Sequence, residues 1–133
     1  MDSDLPNRRA PWGVSYFFLM LFLSGFIGCS IIAAINWRRM GKSNLVWPTI
    51  VLSLVIFALV IIISYYAANP LLSIILSLAV NIAVVFSLWQ WQKNEYYTWM
   101  ESHPDAEAPG RLIPTVIILA SIALYVLGLI FGY

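Results

Sequence analysis

The sequence predicts an all-α integral membrane protein: one domain, residues 1–133, folded as a bundle of four transmembrane helices. Three observations predict it. The first is composition. Hydrophobic residues make up 62% of the chain and charged residues 10%, with mean hydropathy +0.87, whereas soluble domains carry about 25% charged and about 45–50% apolar residues. A small domain leaves too much surface in water to hide that excess, so hydrocarbon is its natural solvent. The second is charge placement. The seven basic and six acidic residues fall in three stretches, Asp2 to Arg9, Arg38 to Lys42 and Lys93 to Arg111. A charge at mid-bilayer costs at least ~2.5–3.5 kcal/mol, which would produce that pattern. The third is length. A helix rises about 1.5 Å per residue, so ~20 apolar residues cross a ~30 Å hydrocarbon layer.

The first span is expected over 13–37. Pro11-Trp12-Gly13 fits a helix start with Trp12 at the headgroup level, after a mobile polar tail. Ser24, Gly25, Gly28, Cys29, Ala33 and Ala34 form a band of small residues at three- and four-residue spacing, the pattern of a close helix–helix seam in lipid. Arg8-Arg9, the apolar run and Phe26-Ile27-Gly28-Cys29 resemble a lipoprotein signal. The run continues past Cys29 to Trp37, however, and an uncleaved span is expected. Gly41 ends this helix in a left-handed conformation.

Pro48, harmless near a first turn, opens the second span, about 46–66. It is crowded with Ile, Val and Leu, apolar all round, and closes on the interfacial pair Tyr65-Tyr66. The third span, about 70–91, follows an uncharged turn. Ser73, Ser77 and Asn81 recur every four residues, so they share a face that should point into the bundle. Segment 92–111 is polar, either an extension of the third helix or a helix on the membrane surface. The fourth span covers 112–133, with Gly128 and Gly132 four apart as a close-contact motif. Ser24, Gly25, Asn81 and Ser121 all fall near mid-bilayer, with Asn81 the costliest to leave unpaired.

Four spans put both termini on one side. Loops 38–45 and 92–111 hold five Lys/Arg and the N-terminal tail two, so the positive-inside bias places the loops in the cytoplasm and the termini outside. Pro48-Thr49 and Pro114-Thr115 open the second and fourth spans alike, and Asn36-Trp37 and Gln90-Trp91 close the first and third, which suggests two parallel-related hairpins. The segment Gly28–Lys42 resembles the helix-to-loop joint of small bacterial membrane proteins of unassigned role. That resemblance implies a bacterial plasma-membrane setting and no activity.

Function classes narrow by absence. No HExxH, CxxC, GxGxxG, phosphate-binding loop or Ser/His/Asp set occurs. One cysteine excludes an intramolecular disulfide and the four-span quinone-linked thiol oxidases. The spans lack the carboxylate of small multidrug exporters and the motifs of fluoride channels. His103 lies in a polar turn, leaving no intramembrane haem or chlorophyll ligand. The net charge of +1 argues against a nucleic-acid binder. The expectation is a non-enzymatic subunit or accessory of a larger membrane complex, without cofactor or metal. Ser24, Gly25, Gly28, Ser73, Ser77, Asn81, Ser121, Gly128 and Gly132 would serve helix packing, and Arg38, Arg39, Tyr96, Tyr97 and Trp99 docking to a membrane-protein partner. A homo-oligomeric channel or membrane-perturbing effector is the alternative, and a lipid- or pigment-binding module the third reading.

Overall fold

The structure, a computed structural model, describes residues 9–132. The expected polar tail up to residue 8 and the last residue of the fourth span, Tyr133, lie outside the described residues. The described residues form five α-helices: α1 (Val14–Leu23), α2 (Gly25–Arg39), α3 (Val46–Ala67), α4 (Pro70–Ser102) and α5 (Leu112–Ile130). A single 3-10 turn, Ser43–Leu45, leads into α3. Three helical stretches, Ser43–Ala67, Pro70–Ser102 and Leu112–Ile130, are long and apolar enough to cross a membrane.

The span expected over 13–37 does not form. Ser24 leaves helical geometry at φ −137°, ψ −3°, and Gly25 takes φ +75°, a region open to glycine because it lacks Cβ. The chain reverses there, and α1 and α2 run antiparallel. Cys29 Sγ donates to the Phe17 carbonyl at 3.2 Å, and the Trp12 amide reaches Asn36 Oδ1 at 2.7 Å. A Cβ on Gly28 would run into Ser24 Oγ and Met20 Cε, so glycine sits where the two helices press together. The small-residue band expected to pack one span on another instead lets this hairpin close on itself.

The other helix ends follow from local chemistry. Past α2, Gly41 takes φ +79°, while the Lys42 amide reaches the Trp37 carbonyl at 2.8 Å and the Gly41 amide the Arg38 carbonyl at 3.2 Å. This paired closure satisfies carbonyls a helix end would otherwise orphan. Asn69 caps α4, its Oδ1 accepting from the Leu71 and Leu72 amides at 3.0 and 3.3 Å, with Pro70 in the first helical position. Helix α4 runs on through residues 92–102 as an extension of the third span, not as a separate surface helix.

The hairpin is the hub. Trp12, Phe17, Met20, Phe26, Cys29 and Ile32 form its buried inner face, which meets Val85 and Leu88 of α4. Helices α3 and α4 pack on each other and on α2, and α5 packs on α1 and α2. Among the described residues α5 makes no comparable contact with α3 or α4. Two expectations change with this arrangement. Residues 9–12 lie at the same end as 36–42 and 107–110, whereas α5 ends at the other, so the two ends of the described chain lie at opposite ends of the bundle. The expected likeness of the first and third spans is not seen either: 13–37 is split into α1 and α2, whereas 70–102 is one continuous helix, and α4 and α5 do not pack as a hairpin among the described residues.

Candidate functional site

The hairpin's turn sits halfway along the bundle. Asn81, eleven residues into α4, holds it: its Oδ1 accepts from the Phe26 amide at 2.8 Å, and its Nδ2 donates to the Ser77 carbonyl at 2.8 Å. The first four amides of a helix have no partner within it, and for one of them in α2, that of Phe26, Asn81 supplies a partner from another helix. The ten residues of α1 rise about 15 Å from the end where Trp12 meets Asn36, and the eleven from Asn81 to Gln92, which also meets Asn36, span about 17 Å, so both measures put the turn at the same level.

Beyond the turn the bundle holds three helices instead of five. A groove of about 830 Å³ opens there, with Phe22 and Gly25 at its floor and Ser64, Ser73, Ser77 and Asn81 among its walls. A smaller hollow of about 370 Å³ continues from the turn to Ser121 and Tyr125 on α5. The groove is apolar apart from those hydroxyls and the amide, and some hydroxyls around the turn are spent on backbone carbonyls. Ser73 Oγ reaches the Ser64 carbonyl at 3.5 Å, and Ser121 Oγ donates to the Ile117 carbonyl at 2.9 Å. The structure thus places Gly25, Ser73, Ser77 and Asn81 on the groove and Ser24, Gly25 and Ser121 on the adjoining hollow, the two sharing Phe22 and Gly25. Gly28 stays inside the hairpin. Gly128, half-buried, lies near the end of α5, and Gly132 follows that helix with nothing within 4 Å of a Cβ placed on it.

The opposite end is a polar clasp. Asn36 Nδ2 donates to the Trp12 carbonyl at 2.9 Å and to Gln92 Oε1 at 3.1 Å. Gln92 Nε2 donates to the Ala33 carbonyl at 2.5 Å. Arg39 donates to the carbonyls of Ala10 at 2.8 Å and Pro109 at 3.0 Å, and its guanidinium lies 3.9 Å over the Trp12 ring. Burial, and secondarily the Arg9 charge, lower its proton affinity from the usual guanidinium range, which still leaves it cationic. Trp12 is therefore no headgroup anchor. It is fully buried and donates through Nε1 to the Gly110 carbonyl at 2.9 Å.

A third polar contact joins α2 to α3. Ser30 and Ser53 Oγ lie 2.5 Å apart, each also within reach of a carbonyl on its own helix, Phe26 and Thr49. Each hydroxyl has one proton, so one donates across the interface and the other to its own backbone. Trp37 Nε1, also buried, has no acceptor among the described residues; its ring meets Trp91 edge-on at 5.2 Å.

Of the expected docking residues, Arg38 and Tyr97 are exposed. The others are engaged internally. Arg39 belongs to the clasp, Tyr96 packs edge-on against Trp89 at 5.3 Å, and Trp99 stacks on His103 at 4.0 Å. The sequence reading missed Asn36, Gln92, Ser30, Ser53 and Trp12 as structural polar groups. Asn36 and Gln92 flank Trp37 and Trp91 at span ends, and Thr49 and Ser53 are four apart on an otherwise aliphatic helix. Those were the available signals. Among the described residues no group of three His, Cys, Asp or Glu side chains converges. No protein-family model, no curated protein and no solved structure matches this chain.

Proposed function

We propose that the protein is a non-catalytic integral membrane subunit that receives a transmembrane helix of a partner in the gap beyond its hairpin turn. In this reading α3, α4 and α5 cross the bilayer. Hairpin α1–α2 enters to about the middle of a ~30 Å hydrocarbon layer and returns. Irregular backbone at that depth is tolerated only where protein satisfies it, which is the service Asn81 performs for Phe26.

The charges support one orientation. Every Lys and Arg among the described residues (Arg9, Arg38, Arg39, Lys42, Lys93 and Arg111) lies at the clasp end, and the turn 67–70 has none. With a four-span path, Arg9 counted against the loops; with a re-entrant hairpin it counts with them. The positive-inside bias then makes the clasp end cytoplasmic and the end of α5 external, in a bacterial plasma membrane, the setting that the Gly28–Lys42 resemblance implies.

The observation that carries the partner reading is the gap itself. Helix α5 packs on the hairpin and not on α3 or α4, so beyond the turn two helix faces stand apart. The α4 face carries Ser73, Ser77 and Asn81, small or hydrogen-bonding residues that let a neighbouring backbone approach closely. Exposed Arg38 and Tyr97 add residue types favoured in interfaces.

The test is photo-crosslinking in the native membrane from a reactive amino acid placed at Ser77 and, separately, at Ser121. The expected result is one membrane protein captured from both positions. Lipid alone at both positions would replace the partner with an acyl-chain ligand. Capture of this same chain alone would move the reading to a homo-oligomer, and so toward a channel closed by a hydrophobic constriction.

A further inference from the structure

The hairpin makes the molecule unequal in its two halves. At the clasp end five helices lie side by side, α1 to α5; beyond Gly25 only α3, α4 and α5 continue. A helix with its side chains is about 10–12 Å across, so the two extra helices add roughly 160–220 Å² of cross-section on one side. The hairpin cannot slide deeper to even this out. Its turn is tied to Asn81, and its open end is held by Asn36, Gln92 and the Arg39–Trp12 contact. The inserted surface is apolar enough for a bilayer: exposed Phe18, Leu19, Phe22 and Leu23 stud α1, which has no charge.

We infer that the protein is a one-leaflet wedge that prefers membrane bulging toward its clasp side, its partner being a strongly curved lipid surface. Area added to one leaflet alone is relieved when that leaflet is the outer one of a curve, and membrane insertion of helices into one leaflet is curvature-sensitive for this reason. The inference rests on the reading that α3–α5 cross the bilayer, and it concerns the chain without a partner in the gap.

The experiment uses the full chain, purified, fluorescently labelled and reconstituted at low density into giant vesicles from which narrow tubes are drawn. Reconstitution yields both orientations, distinguished by protease access to loop 102–111. Molecules with the clasp outside are expected to concentrate in the tube over the parent membrane by roughly twofold or more, and those with it inside to be depleted. The same folded protein thereby serves as its own control. Equal density in tube and parent for both orientations, or enrichment of both, overturns the wedge. Failure to float with the vesicles overturns the membrane reading beneath it.

Discussion

At Gly25 two effects coincide, and a neighbouring glycine separates them. Gly25 and Gly41 both hold positive φ, +75° and +79°. Forcing alanine into that region costs about 1–2 kcal/mol. At Gly41 that is the whole expense, since a Cβ there meets nothing within 4 Å; at Gly25 it would lie 3.0 Å from Asn81 Oδ1. Gly25→Ala should therefore lower the detergent unfolding midpoint more than Gly41→Ala, and equal losses would mean that Asn81 is not wedged against the turn. Asn81→Leu orphans the Phe26 amide and should cost about 1–2 kcal/mol in the same assay, within the range for an unsatisfied buried donor. Arg39→Lys keeps the charge but loses the flat guanidinium face laid on Trp12, which holds the donating Nη1 against the Ala10 and Pro109 carbonyls. Faster proteolysis of loop 103–111 is expected, close to the rate of Arg39→Ala; a rate equal to that of the unchanged protein would show that charge alone suffices.

The five helices do not depend on one another equally. Helices α3 and α4 share an interface and a short capped turn, so each supports the other. Helix α5 depends on the hairpin, through Ile113, Ile117 and Ile118 packed on its core. A variant that hollows that core, Phe17→Ala, should cost about 3–5 kcal/mol if the site does not collapse. Its amide exchange should rise through 112–130 while 46–67 stays protected, as expected where opening proceeds in contiguous units. A uniform rise across all helices would mean that the hairpin does not organise α5 separately. The same contacts explain why α1, only ten residues long, is stable as a helix. Isolated helices of that length are marginal, and packing supplies what propensity does not.

For the whole molecule the testable property is sidedness. In a Cys29→Ser background, single cysteines at the exposed Arg9, at Lys42 and at Glu107 should react with a membrane-impermeant maleimide from one side, and cysteines at Asn69 and Gly132 from the other. A straight helix over 13–37 would instead put Arg9 with Asn69. The charges favour the first pattern, because in the re-entrant path no Lys or Arg of the described chain opposes the rest.

Helix class and the three long segments were readable from the sequence, because hydropathy, proline and Asn69 act locally; the end of α4, eleven residues past the expected 91, was not. The four-residue series Ser73, Ser77, Asn81 does share one face of α4, which lines the groove beyond the turn. Whether 13–37 ran straight or folded back was not readable. Either path satisfies the same hydropathy, and Ser24-Gly25 permits a reversal without requiring one. Tertiary contacts decided it: Asn81 accepts the amide freed at the turn, Asn36 and Arg39 capture the returning strand of chain at Trp12 and Ala10, and Gly28 lets the two helices close. Such partners lie 24 to 55 residues apart in sequence, beyond the reach of any periodicity.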